Sequence, residues 1–378
     1  MISREIGDVT LKPVKGGDRW GYDLLKFSET MTLQRKEEKT VKKLFLIPLA
    51  IVLVSGLIFS GCAAPAPAPA PAPVKHKTVE LKMWCAWPVT KFASYPQNEI
   101  FRDMVNDYGK DINLSMKIIG GPEVFGTYEG VEAQLGGAFD VACIPPPYYL
   151  GVVPESFAIE VISLPGWEMR EKGIFDLMDK FHQKAGLKYL AFTGYPLWFQ
   201  GYSKFDTPTP DLTGKTMRTA PIYDPMVKAL GGVPVNIPAP EVYEALARGF
   251  VDGFYWPEVG ITDFAWNEHV KYYWGQHTPY LVDCGFTMNL DKWNTLDKDQ
   301  QAVLNRVSEE LERLLVDHPL WGGRVETDYK KLVIDGPMER INFSDADYKY
   351  YVDTAIGVVW ETVIAQAPET AQIKEMLK

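Results

Sequence analysis

Arg218 is the residue best placed to do chemistry. It closes the run Asp211-Leu212-Thr213-Gly214-Lys215-Thr216-Met217-Arg218, in which Asp-Leu-Thr-Gly is turn-forming and leads into a strand whose end carries the guanidinium. A guanidinium offers a planar fork of donors that matches a carboxylate, and in a dry cleft such a charge-assisted pair is far stronger than on a wet surface. The other use of such an arginine is a structural ion pair, and 49 Asp and Glu residues supply many partners. Further candidates fall at expected strand ends: Trp87 after the first strand, Tyr148 after Pro145-Pro146-Pro147, Phe199 and Gln200 in Leu197-Trp198-Phe199-Gln200-Gly201-Tyr202, and Tyr223 just past Arg218. Strand ends line the crevice of an open α/β sheet, so each of these either touches a ligand or packs across the crevice.

Turnover would need a nucleophile with its base, a metal-ligand cluster or a phosphate-cradling glycine loop, and no such motif is present. His76, His182, His269, His277 and His318 are scattered, with no His-Glu-x-x-His or similar spacing. Paired carboxylates such as Glu309 and Glu310 belong to a solvated helix face. The reading is therefore of a binding protein rather than an enzyme, with no cofactor.

The elements that must position these residues alternate. Thr78 to Trp87 places apolar side chains at every other position, as a half-exposed strand does, and ends at Pro88. Residues 95 to 108 carry Ile100, Phe101, Met104 and Val105 at helical spacing, and Ile112 to Ile119 alternates again before Gly120-Gly121-Pro122. Strand, helix, strand opens a parallel α/β unit. Phe125 to Leu135 reads as a helix and Ala138 to Ile144 as a buried strand. Strands are expected at Lys188 to Phe192, Lys215 to Thr219 and Val251 to Tyr255, with helices near 173 to 184, 223 to 230 and 240 to 248. From Thr295 an amphipathic run passes through Val303, Val307, Leu311, Leu314 and Leu315, with Asp297 and Asp299 at the positive end of the helix dipole. Pro319 and Gly322-Gly323 interrupt it, and helical spacing resumes from Val325 to Val333, so one long kinked element is expected to span two lobes.

Length and composition agree with this plan. A chain of 378 residues that is 46% hydrophobic exceeds one ordinary domain and buries ample cores. Its 11 Trp, 19 Tyr and 18 Phe fill cores or line pockets for apolar ligands. Net charge is −10, and no Lys/Arg-rich stripe interleaved with aromatics appears beyond the first fifth, which excludes nucleic acid as the expected partner. Cys85, Cys143 and Cys284 form an odd set; Cys85 and Cys143 lie in apolar strand-like runs, as buried thiols or as a bridge.

Residues 1–62 read as a precursor segment. Lys36, Lys39, Lys42 and Lys43 precede the apolar run Leu44 to Phe59, which small residues follow before Cys62, the pattern of a secretory signal. Met31 opens the part with signal-peptide proportions. Leu57-Ile58-Phe59-Ser60-Gly61-Cys62 resembles a bacterial lipobox, which implies acylation of Cys62, a new amino terminus there and a lipid anchor; the alternative is an uncleaved membrane anchor. Either places the rest outside the cytoplasm. Residues 63–76 form a linker, whose Ala/Pro alternation favours extended polyproline geometry, a spacer of roughly 30 Å.

Three linked motifs carry a family resemblance. Asp211 to Arg218, then Ala229-Leu230-Gly231-Gly232-Val233-Pro234-Val235, then Glu241-Val242-Tyr243-Glu244-Ala245-Leu246-Ala247-Arg248-Gly249-Phe250-Val251-Asp252-Gly253 together resemble the substrate-binding subunits of tripartite ATP-independent periplasmic (TRAP) transporters. Gly121-Pro122-Glu123-Val124 and Gly137-Ala138-Phe139-Asp140 extend the likeness to roughly residues 78 to 335. The resemblance implies a two-lobed α/β periplasmic binding protein fold with a long helix spanning both lobes. It places a carboxylate-clamping arginine at Arg218, and Trp256 matches a tryptophan of the branch associated with 2-oxo acids. That branch has a cation-holding glutamate where this chain has Tyr255, so no metal is expected, and Tyr255 offers a hydroxyl and a ring face instead; sealing the hinge is the other reading of Tyr255 and Trp256. Lobe I is expected at 77–195 with 282–322 and lobe II at 196–281 with 323–378. A small organic carboxylate with an apolar or aromatic body would bridge them, and membrane subunits of the transporter would receive it.

Overall fold

The computed structural model describes residues 75–88, 95–317 and 322–378. The signal-like run, Cys62, the Ala/Pro linker up to Pro73 and the break at Pro319 lie outside the described residues. No helix among the described residues is long and apolar enough to cross a membrane.

Eleven strands make two sheets. In chain order they are β1 (Val79–Cys85), β2 (Leu114–Gly120), β3 (Val141–Cys143), β4 (Leu187–Ala191), β5 (Phe199–Ser203), β6 (Thr216–Thr219), β7 (Val233–Asn236), β8 (Gly253–Pro257), β9 (Tyr272–Trp274), β10 (Phe286–Asn289) and β11 (Glu339–Ile341). The first sheet runs β2-β1-β3-β10-β4, with β1 parallel to β2 and β3 and with β10 antiparallel to β3 and β4. The second runs β11-β9-β5-β8-β6-β7, parallel from β8 through β7 and antiparallel where β5 meets β8 and β9. This is the α/β architecture expected from the strand-helix alternation, with the two lobes that the family resemblance implies.

Local chemistry explains the elements. In β1, Val79, Leu81 and Met83 are buried while Glu80 and Lys82 face water, and the strand becomes wholly buried at Trp84 and Cys85. The helix Tyr95–Gly109 packs on β2 and on the helix Lys298–Asp317. Asp297 caps that second helix, its Oδ1 accepting the N–H groups of Asp299 and Gln300 at 3.0 Å each. The helix Gly322–Tyr329 continues beyond it, ending in the π turn Lys330–Ile334. Asp328 there accepts the Gly260 N–H at 3.1 Å, while Arg324 bonds Asp263 at 2.6 Å, so this part attaches to the loop after β8.

The chain changes sheets three times, from β4 to β5, from β9 to β10 and from β10 to β11, and the first two crossings run side by side. Val282 donates to the Leu197 carbonyl at 2.9 Å, and Trp198 bridges Leu281. Gly194 permits the approach, since a Cβ there would fall 1.4 Å from the Val282 carbonyl oxygen.

Several elements depart from the sequence reading. The helix expected from Phe125 forms only over Gly130–Leu135, after a series of turns. β5 and β10 were not expected as strands: every residue in them is buried, so neither shows alternation. The tail is shared rather than held by lobe II. Its helix Asp345–Gln366 packs both on the helix Asp224–Ala229 and on the 3-10 segment Pro154–Val161, and the last helix, Ala371–Met376, lies against Ile174–Lys184. Cys85 and Cys143 sit side by side in register, yet Cys85, Cys143 and Cys284 are buried thiols without a bridge. Burial pushes the Cys85 thiol up to about 12.

Candidate functional site

Arg218 is delivered by a turn and a strand. Asp211 Oδ1 accepts from the N–H and the hydroxyl of Thr213 at 2.9 and 2.6 Å, Gly214 takes the left-handed conformation at φ 74°, and β6 starts at Thr216. Parallel pairing then sets Arg218 between Val235 and Phe254. The chain leaves β6 through Ala220 and the turn Pro221–Tyr223, whose exit is held by Asp224 accepting from Thr219 Oγ1 at 2.7 Å. Tyr223 is thereby fixed one turn beyond the arginine.

A cavity of ≈ 40 Å³, room for a few water-sized bodies, opens at the carboxyl ends of the parallel strands of both sheets. Trp87 follows β1, Tyr148 follows β3 in the turn Pro146–Tyr148, Arg218 and Ala220 stand at the end of β6, and Trp256 and Pro257 end β8. Phe199, Tyr223 and Glu160 complete the part of the lining that bears on recognition. The rings interlock: Trp87 meets Tyr148 at 5.4 Å and Trp256 at 5.8 Å, and Phe199 meets Tyr223 at 4.8 Å. Trp87 and Trp256 thus join the strand ends of the two sheets directly.

Arg218 is 1% exposed. Its Nε donates to the Ile237 carbonyl at 2.9 Å, and the guanidinium carbon lies 5.2 Å from the Trp256 ring centre. Among the described residues no carboxylate comes within ion-pair distance of it. Burial lowers its pKa, while the phenols of Tyr148, Tyr223 and Tyr128 favour the charged form. Arginine stays charged through such a shift, so the cavity holds a dry positive fork surrounded by rings.

The structure brings Trp87, Tyr148, Phe199, Arg218, Tyr223 and Trp256 to one cavity and leaves two of the sequence-derived candidates outside its lining. Tyr255 lies on the opposite face of β8 from Trp256, because successive strand residues point to opposite sides; it packs 5.8 Å from Trp274 and 6.0 Å behind Tyr223. Gln200 is committed to the scaffold, its amide donating to the Trp274 carbonyl. Sequence reasoning missed Glu160, a buried carboxyl in the lining, and Tyr128, whose ring meets Tyr148 at 5.0 Å. His76, Asp297 and Asp299 bring metal-capable atoms together, but the group is the cap of the Lys298–Asp317 helix and does not line the cavity.

Comparison with known proteins places the fold in a family. Residues 101–366 match the model of bacterial extracellular solute-binding protein, family 7. A protein of Albidiferax ferrireducens named solute-binding protein is 21% identical over 287 residues, covering 69% of this chain and 81% of that one. Among solved structures, a TRAP periplasmic solute-binding protein from Desulfovibrio salexigens with bound orotic acid superposes with a TM-score of 0.69 at 16% identity, over 79% of this chain and 98% of that one. One from Bordetella bronchiseptica, with copurified calcium and picolinate in its active site, gives 0.68 at 19% identity over 79% and 90%. One from Roseobacter denitrificans with bound β-D-glucuronate gives 0.67 at 17% identity over 79% and 99%. With the family model spanning most of the described chain and the fold shared across its length, this protein belongs to family 7 of the bacterial extracellular solute-binding proteins.

Proposed function

We propose that the protein is the extracytoplasmic solute-binding subunit of a TRAP-type secondary transporter, and that it captures a small monocarboxylate with an apolar or aromatic body. One observation carries this reading: Arg218 is a buried guanidinium with no carboxylate partner among the described residues, inside a cavity walled by rings. Burying an unpaired charge is unfavourable, and an incoming carboxylate relieves that cost through paired, charge-assisted hydrogen bonds. Trp87, Tyr148, Phe199 and Trp256 supply flat apolar surface for the ligand body. Solved structures of the same fold hold orotic acid, picolinate and glucuronate, all of them acids.

Binding would shift the population toward the closed form, in which 77–195 and 282–322 meet 196–281 while the tail straddles both. That closed form would then dock on the membrane subunits. Acylation at Cys62 and the Ala/Pro spacer would tether the protein above the membrane that carries them.

Thermal-shift screening of the purified protein against small carboxylic acids tests the reading. A cognate acid raises Tm, and Arg218→Ala weakens its binding by roughly ten- to a hundredfold, the range for hydrogen bonds to a charged group. Stabilisation that survives Arg218→Ala unchanged removes the clamp and the reading with it.

A further inference from the structure

The cavity lining contains a carboxyl, which the arginine-centred reading does not use. Glu160 belongs to the 3-10 segment Pro154–Val161, is 1% exposed, and lines the same cavity as Arg218. Its Oε2 is buried without a hydrogen-bond partner. Its backbone is held firmly, the carbonyl accepting the Leu281 N–H at 2.7 Å. Asp283 nearby shows the contrast, since it accepts from the Tyr189 hydroxyl at 2.6 Å and the Thr193 N–H at 3.2 Å. Buried polar atoms are nearly always paired, and an exception inside a binding cavity marks a place for a ligand atom.

The groups around Glu160 fix its chemistry. Asp283 faces it from the segment before β10, as does Tyr280; Tyr148 and Tyr149 come from the turn after β3, and Tyr223 from the turn after β6. Arg218 and Cys284 are the remaining ionisable groups of the lining. Burial first, and Asp283 second, raise the Glu160 carboxyl well above the usual carboxylate range. A neutral acid both donates and accepts hydrogen bonds.

We propose that Glu160 is a specificity-determining residue whose carboxyl hydrogen-bonds an uncharged oxygen, hydroxyl or oxo, on the body of the ligand while Arg218 holds the ligand carboxylate. The inference rests on the carboxylate-binding reading above and narrows it to hydroxy and oxo monocarboxylates. An unsubstituted acid leaves Oε2 unpaired.

A matched series of 3-phenylpropanoate, 3-phenyllactate, phenylpyruvate and phenylalanine, measured by calorimetry on the full-length protein, tests the first half. The oxygen-bearing acids are expected to bind ~3- to 10-fold tighter than 3-phenylpropanoate, as one neutral hydrogen bond gives. Glu160→Gln keeps that preference and Glu160→Leu abolishes it, the preference being read as the ratio of affinities for the oxygen-bearing acid and 3-phenylpropanoate within each form. A preference that persists in Glu160→Leu overturns the proposal, as does a preference for phenylalanine that Glu160→Gln removes. Arg218→Ala separates the two claims: acids that bind it as they bind the wild type sink the carboxylate reading, whatever Glu160 does. The second half needs no ligand. Infrared difference spectra between the wild type and Glu160→Gln at pH 7 are expected to show the loss of a protonated-carboxyl band; absence of a Glu160-dependent band overturns the proposal outright.

Discussion

Two arginines in this protein put the same side chain to opposite uses. Arg170, on the helix Gly166–Glu171, forks onto Glu312 through Nε at 3.0 Å and Nη2 at 2.7 Å, and its guanidinium lies 3.6 Å from the Phe175 ring centre. Glu312 also accepts the Phe192 N–H at 3.0 Å, so this pair bolts the long helix Lys298–Asp317 to the exit of β4. Arg218 is more deeply buried; its Nε donates to a backbone carbonyl and the Tyr148 hydroxyl is its side-chain neighbour, with no carboxylate at ion-pair distance among the described residues. A guanidinium that meets its own carboxylate is scaffold; on the proposed reading, one held without a carboxylate keeps its donors for a visitor.

The contrast breaks most readily at the scaffold end. Arg170→Ala leaves the Glu312 carboxyl buried without its cation, which is expected to cost roughly 3 kcal/mol of stability, while affinity for any bound acid stays unchanged. Denaturant melts and binding isotherms on the same variant check both halves, and an unchanged melt would dissolve the distinction.

Arg218→Met is expected to do the reverse. Removing an uncompensated buried charge leaves the ligand-free Tm equal or higher by about 1 kcal/mol equivalent, while acid binding falls at least tenfold. A clear drop in ligand-free Tm would reveal a structural role.

The smallest effect belongs to Glu160. Its folded pKa lies above that of the unfolded chain, so above pH ~4 the unfolded state releases a proton that the folded state keeps, and stability falls as pH rises. Glu160→Gln removes this penalty: it should raise Tm by a few degrees at pH 7, with the gain fading as pH falls below about 4. A Tm difference that does not vary with pH would show that Glu160 does not titrate between the two states.

Legibility in sequence followed the range of the interactions. Arg218 was legible because its turn, strand and following helix are contiguous, and the turn chemistry of Asp211 to Gly214 announces where the strand begins. Trp87 and Tyr148 were legible as strand-end residues before a proline and after three prolines. The face that Tyr255 takes was not legible because β8 is buried on both faces, and apolar neighbours on either side leave no alternation to tell the cavity face from the Trp274 face. The direction of Gln200 on β5 was hidden for the same reason. Glu160 carried no local mark, since it sits between Ile159 and Val161 in a short 3-10 run that reads as plain core.

Sequence alone determined the strand-helix alternation and the placement of Arg218 at a strand end, both of which depend on residues a few positions apart. Tertiary structure alone decided which arginine lacks a carboxylate, which face of β8 meets the cavity, and that Glu160 and Arg218 share one chamber. The physical reason is that backbone preferences act between near neighbours, whereas the charge state and pairing of a buried group are set by whatever distant segments fold against it.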